Sequence, residues 1–135
     1  YGDIASSYGE SVLDLMNDLV FNAIPDGFSS TCYDGQYFFD TDHSEGQSGT
    51  QSNDITCDIS EVPASVHGSV TAPSKEEMQH AILKAVMAII GFKDDQGEPM
   101  NEGARSFMVT VPLALYPIAQ AAVESMERTK ARGSS

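Results

Sequence analysis

At 135 residues the chain is long enough for one domain with a core of its own, and its 41% hydrophobic content excludes disorder throughout. No apolar run approaches the roughly 20 residues that cross a bilayer, and no basic-then-apolar leader pattern opens the chain. Charge is split. Ahead of Lys75 stand twelve Asp and Glu and no Lys or Arg, whereas from Lys75 onward seven basic residues nearly balance eight acidic ones; an acidic half repels phosphate, which disfavours direct nucleic-acid binding and leaves solubility, a basic partner or cation binding.

The first element is a helix over residues 5–24. Ile4, Tyr8, Val12, Leu15, Met16, Leu19 and Val20 recur at three- and four-residue spacing and make one apolar stripe, with Asp14 and Asp18 off it. Pro25-Asp26-Gly27 ends it. Residues 28–40 read as a hairpin or a pair of short strands: Tyr33-Asp34-Gly35 supplies the turn and Tyr37-Phe38-Phe39 a half-buried strand.

Residues 41–74 are poor in large apolar side chains, and Ser, Thr, Gly, Asn and Gln dominate from Ser44 to Asn53. So long a structureless stretch is either mobile or ordered by a neighbour. Short strands or turns are expected around Ile55, Ile59 and Val62, and over His67-Gly68-Ser69-Val70.

Ser74 and Glu77 form an S-x-x-E capping box after Pro73 and open a second helix. Met78, Ile82, Ala85, Val86 and Ile89 line one face; Ala81, Ile90 and Phe92 widen it, which predicts a well-buried helix stopped at Gly91. Lys93 to Pro99 is a polar turn. Phe107-Met108-Val109-Thr110-Val111 is a strand ended by Pro112. A third helix starts at about Leu113 or Pro117 and runs to Arg128, with Leu115, Ile118, Ala119, Ala122, Val123 and Met126 inward. Arg128, Lys130 and Arg132 stand at its C-terminal end, where the helix dipole favours cations.

The stretch Asp40-Thr41-Asp42-His43-Ser44-Glu45 carries the chemical candidates. Asp40, Asp42 and Ser44 alternate as at the start of an EF-hand loop, but Gly46 comes one residue late and Gln51 stands where a bidentate Glu is needed. His43 lies among carboxylates, yet His67 and His80 are distant in sequence and no two histidines share helical spacing. Asp40, Asp42 and His43 could do acid–base work, but no nucleophile elbow, P-loop or dinucleotide-binding glycine pattern accompanies them. The structural alternative is that His43 donates to a carboxylate and pins the start of the loop. No catalytic, cofactor-binding or metal-ligating residue is assigned. Cys32 and Cys57 are too few for a disulfide scaffold, and reduced thiols are favoured.

The order of these pieces carries a resemblance. An apolar helix leads to YDGQYFFDTDH, a Gly/Ser/Asn loop, an amphipathic helix, DDQGEPM, a strand and VPLALYPIAQAAVE. From about residue 8 to residue 127 the chain resembles the major head subunits of Mu-like phages, a branch of the tailed-phage major capsid proteins. The most specific parts run from Tyr33 to His43 and from Asp95 to Ala122. The resemblance implies an α+β chain with the tailed-phage major capsid fold, as a fragment. Residues 1–73 would hold the end of the spine helix and peripheral-domain strands with the long polar loop; residues 74–135 would be a helix-strand-helix part of the axial domain. It implies no enzyme, no catalytic residue and no cofactor. The function would be self-assembly, through hexamers and pentamers, into the icosahedral shell around phage DNA, with assembly in the host bacterial cytoplasm and residence in the virion.

Tyr1 and the closing Ala-Arg-Gly-Ser-Ser suggest cut ends, so the isolated piece is expected to be monomeric or weakly associating. The alternative is an acidic binding module whose 40–54 loop takes a divalent cation or a basic partner.

Overall fold

Helix carries the regular structure of the computed structural model, which describes residues 2–133 apart from 59, 60, 64, 66 and 70. Three α-helices, α1 (Gly2–Asp26), α2 (Lys75–Gly91) and α3 (Tyr116–Gly133), are joined by long irregular segments. Among the described residues β-pairing is confined to four isolated bridges, Thr31 with Tyr37, His43 with Gln51, Ser69 with Ala72, and Lys93 with Pro99. No helix there is long and apolar enough to cross a membrane. The chain forms two compact units, residues 1–45 with 49–54, and residues 46–48 with 55–135.

In the first unit α1 follows the predicted stripe and extends the expected helix by three residues at its start and two at its end. Pro25 sits in the last turn, where its ring removes a single intrahelical bond. The Gly27 amide closes the helix on the Ala23 carbonyl at 2.9 Å. Gly27 is also a point of close approach, since a Cβ there would come within 2.8 Å of the Phe39 ring. Phe39 packs on Phe28 and Phe38, each with ring centroids 4.9 Å away.

The hairpin forms, but with one bridge in place of two strands. Cys32 N–H donates to Gln36 C=O at 2.7 Å around Tyr33-Asp34-Gly35, with Gly35 at φ 85°, a three-residue loop with glycine in the left-handed region. The first arm cannot lengthen, because Ser29 and Ser30 already donate to the Asp26 carbonyl at the helix end, at 2.9 and 2.8 Å.

In the second unit α2 begins at the capping box. Ser74 Oγ accepts from Glu77 N–H at 3.1 Å, and the Glu77 carboxylate accepts from Ser74 N–H at 3.2 Å. Its other oxygen accepts from Gly68 N–H at 2.5 Å, so a buried carboxylate ties the preceding turn to the helix. That turn is Ser69 and Ala72 exchanging two backbone bonds of 3.0 Å; of the short strand or turn expected over 67–70, it is the turn. Ile59 and Val70 lie outside the described residues.

Met78 and Ile82 of α2 meet Ala119 and Ala122 of α3, with Val86, Val111, Leu115, Ile118, Val123 and Met126 packed around them. The small residues permit close approach: Ala122 is fully buried, and Gln79 Nε2 reaches its carbonyl at 3.3 Å. α2 is less buried than its composition predicts. Leu83, Met87, Ile89 and Ile90 remain exposed. Phe92 N–H donates to Ile89 C=O at 3.4 Å past Gly91, and Asn101 Nδ2 reaches the same carbonyl at 2.7 Å.

The turn at 93–99 is set by Asp94, whose Oδ1 accepts from Gln96 and Glu98 N–H at 3.0 and 2.9 Å. The strand expected at Phe107–Val111 is not formed. A strand needs a neighbour to complete its ladder, and Ser106–Val111 makes no backbone hydrogen bond. α3 starts later than the earlier of its two expected positions, after a single 3-10 turn over Leu113–Leu115, with Pro117 in its first turn. The side chains of Lys130 and Arg132 lie outside the described residues.

Candidate functional site

The stretch from Asp34 to Asp54 draws together the residues that the sequence marked for chemistry. His43 Nδ1 lies 2.6 Å from Asp34 Oδ2, and His43 Nε2 lies 3.2 Å from the Phe38 carbonyl. Hydrogen bonding to Asp34 raises the His43 pKa above its ordinary value, and the same bond lowers that of Asp34. Asn53 completes the clasp. It donates through Nδ2 to Phe38 C=O at 2.6 Å and accepts from Asp40 N–H at 2.8 Å through Oδ1. Its own N–H donates to Asp40 C=O at 3.1 Å, and Gln51 N–H donates to His43 C=O at 2.8 Å.

This geometry decides among the chemical readings. His43 does donate to a carboxylate and pin the loop, and the carboxylate is Asp34, which the sequence had marked only as a turn residue. Asp40 is held by backbone: Oδ1 accepts from Thr41 N–H at 2.7 Å and Oδ2 from Tyr37 N–H at 3.3 Å. The Thr41 bond is the main reason its pKa is lowered. A carboxylate occupied in this way is poorly placed as a general base or as a cation ligand. Among the described residues no group of three or more His, Cys, Asp or Glu side chains is arranged to hold a metal. The cation-binding alternative for residues 40–54 therefore finds no support, and of Asp40, Asp42 and His43 the first has its carboxylate taken up by backbone donors.

Part of the long polar loop is held by its own chain. Gln47 N–H donates to Asp95 C=O at 2.7 Å. Gly46, at φ 54°, faces that carbonyl so closely that a Cβ would collide with it, and a Cβ on Gly97, at φ 85°, would stand 3.0 Å from Gln47 O. Ser48 is buried.

A second polar cluster lies on α2. Glu61 accepts from Lys84 Nζ at 2.9 and 3.1 Å and lies 2.6 Å from His80 Nε2. Its pKa is lowered, chiefly by His80 and then by Lys84, and Lys84 is raised chiefly by Glu61. Cys57 and Asp58 add smaller contributions to the raised Lys84 pKa. The cluster fastens the 61–62 segment, where Val62 is buried, to the helix. Sequence spacing gave no sign of it, because Glu61 and His80 are 19 residues apart. Cys32 and Cys57 are both free thiols.

What remains is an apolar surface. α1 buries none of its residues, and ten of its large apolar side chains are exposed, among them Tyr8, Leu13, Leu15, Met16, Leu19 and Phe21. Contiguous apolar area on this scale marks an interaction face. An isolated helix of 25 residues without a packed face is only marginally stable in water.

Comparison with known proteins falls on this part of the chain. Residues 1–63 match the family model described as Mu-like prophage major head subunit gpT. The Mu-like prophage FluMu major head subunit of Haemophilus influenzae is 46% identical over 46 residues, covering 34% of this chain and 15% of that protein. The major capsid protein of Escherichia phage Mu is 42% identical over 43 residues, covering 32% of this chain and 14% of that protein. The matched stretch thus spans about one-seventh of the relatives' length. The resemblance to Mu-like major head subunits holds over residues 1–63, which include Tyr33 to His43; the segment from Asp95 to Ala122 lies outside the match. No solved structure matches the chain.

Proposed function

We propose, from the likeness of residues 1–63 to Mu-like prophage major head subunits, that this chain acts as part of a phage major capsid subunit and works by self-association. In this reading it is not an enzyme. Its polypeptide joins hexamers and pentamers in the host bacterial cytoplasm and resides in the icosahedral shell around the phage DNA. The fold would be the α+β fold of the tailed-phage capsid proteins, with residues 1–73 as spine-helix end and peripheral-domain segment and residues 74–135 as part of the axial domain.

The observation that carries the proposal is the coincidence of the family match with the uncovered apolar helix α1. A shell is built from many contacts of matching shape between copies, and a helix left bare in the single chain provides such a contact. The acidic character of residues 1–74 fits a surface that does not adhere to packaged DNA and that pairs with basic patches, so assembly would depend on ionic strength. The test is to express the complete reading frame that encodes this chain and examine the product by electron microscopy. Closed particles of uniform size are expected; a soluble monomer under all salt conditions overturns the proposal.

A further inference from the structure

The seven basic residues all follow position 74, and their backbone settings differ. Lys75 and Lys84 lie in α2 and Arg128 lies in α3. Lys84 is bound to Glu61, and Lys93 stands in the bridge to Pro99. Among the described residues Arg105 is the basic residue that leads into open backbone. Its side chain is exposed and donates to the carbonyls of Glu102 and Ala104, at 2.9 and 3.1 Å. From Ala104 to Pro112 the chain runs without a turn or bend, and no backbone N–H or C=O of Ser106–Val111 is hydrogen-bonded. The turn just before it is closed by one backbone bond, from Ala104 N–H to Asn101 C=O at 3.0 Å.

We propose that the Arg105–Ser106 bond is a site of limited proteolysis by an endopeptidase of arginine specificity, and that the two products stay associated. A peptidase takes its substrate as an extended strand and pairs with its main chain, so a helical segment must unwind before it can be cut. Ser106–Val111 offers the leaving side of the bond already extended, and the turn on the other side has one hydrogen bond to yield. A carboxylate at the base of the enzyme's specificity pocket pairs with the guanidinium. The flanking residues favour the same bond. Gly103 and Ala104 precede Arg105 and Ser106 follows it, whereas Lys75 is followed by Glu76-Glu77 and Lys93 by Asp94-Asp95, carboxylates that compete with the enzyme's own for the lysine. In the reaction the C–N bond between Arg105 and Ser106 breaks. Water supplies a hydroxyl to the Arg105 carbonyl carbon and a hydrogen to the Ser106 nitrogen, and the acid so formed passes its proton to the amine. The first product keeps Met78 and Ile82, the second keeps Ala119 and Ala122, and this core holds the two together. The inference stands apart from the head-subunit reading and survives its failure.

The test digests the 135-residue chain with a trace of trypsin in native buffer and follows the products by mass and by gel filtration. Cleavage after Arg105 is expected at least about tenfold faster than after Lys75, Lys84 or Lys93, giving pieces that co-elute and keep the helical circular dichroism. Trimming at Arg128 and beyond only shortens the second piece and leaves that comparison intact. Ser106→Pro, which keeps the arginine and blocks the bond, should abolish the cut, and Arg105→Lys should retain it. Should Ser106→Pro fail to fold, Arg105→Gln, a change to an exposed side chain, takes its place. A faster cut at any of the three lysines overturns the proposal. So does a cut after Arg105 that appears only in urea concentrations where the helical signal is lost, and so do pieces that separate on gel filtration.

Discussion

Asp34 and His43 meet with Oδ2 and Nδ1 2.6 Å apart, while the other nitrogen of the same ring lies 3.2 Å from the Phe38 carbonyl. Both ring nitrogens face acceptors. An imidazole can donate to both only when each nitrogen carries a proton, so this arrangement selects the imidazolium, with Asp34 and Asp40 as the nearby negative charges. The protonated ring holds the aromatic turn and the start of the polar loop as one piece.

The clasp therefore has a pH window. The His43 pKa is raised in the folded chain, so its contribution is fully present below the ordinary histidine value and is lost as pH rises through the raised one. The Asp34 pKa is lowered, so its contribution is present above the ordinary carboxylate value and is lost as pH falls through the lowered one. Amide protection at Gln51 and Asn53 should be greatest between those limits. His43→Gln, which can donate to only one of the two acceptors at a time, should remove the alkaline fall. A pH-independent exchange profile in the wild-type chain contradicts the imidazolium assignment.

Two glycines of the same loop separate backbone strain from contact. Gly46 and Gly49 both have positive φ, at 54° and 71°, but only Gly46 faces an atom, the Asp95 carbonyl. Gly49→Ala should cost about 1 kcal/mol, the penalty of the left-handed conformation alone. Gly46→Ala should cost more and speed exchange of the Gln47 amide, because the loop must move off the 93–99 turn. Equal losses in urea unfolding would mean that the contact contributes nothing.

The local signals in the sequence proved readable and the distant ones did not. The stripe of α1, the Ser74–Glu77 box, the Gly91 stop and the Asp34-Gly35 turn are set by residues within a few positions of one another, and each appears where spacing placed it. Pairings such as His43 with Asp34, Asp40 with Asn53 and Glu61 with His80 depend on how the chain returns, which no period encodes. The misreadings at Phe107–Val111 and on α2 share a cause. Apolar composition reports a wish for burial, and in the single chain Val109 and Met87 have no neighbour to grant it.

Glu77 tests how much one carboxylate can hold. Ser74→Ala removes a single cap bond and should cost about 1 kcal/mol of α2 stability. Glu77→Ala removes the reciprocal cap bond to Ser74 N–H and also leaves the Gly68 amide without its acceptor, so it should cost more than the single cap bond. Helical circular dichroism during urea unfolding should rank Glu77→Ala below Ser74→Ala. The reverse order would show that the Gly68 bond is replaced by water.

At the α2–α3 contact the limiting dimension is the side chain at Ala122, which is fully buried with Gln79 against its carbonyl. Ala122→Leu forces the helices apart and should cost about 1–3 kcal/mol. Ala121→Leu, one residue away and not in the buried cluster, should cost less. Both are read as the urea midpoint of the helical signal.

The bare face of α1 gives opposite expectations for the single chain and the assembly. Leu15 and Leu19 are 59% and 62% exposed, so the double change Leu15→Ser with Leu19→Ser removes little packing and should shift the stability of the 135-residue chain by only about 0.5 kcal/mol, while improving its solubility. In the complete reading frame the same change should abolish particles, since each copy then presents a polar stripe where its neighbour needs an apolar one. Particles that still form would place the contacts between copies elsewhere. A large loss of stability in the single chain would mean instead that α1 already packs within its own subunit, and the argument from its exposure would fail at its first step.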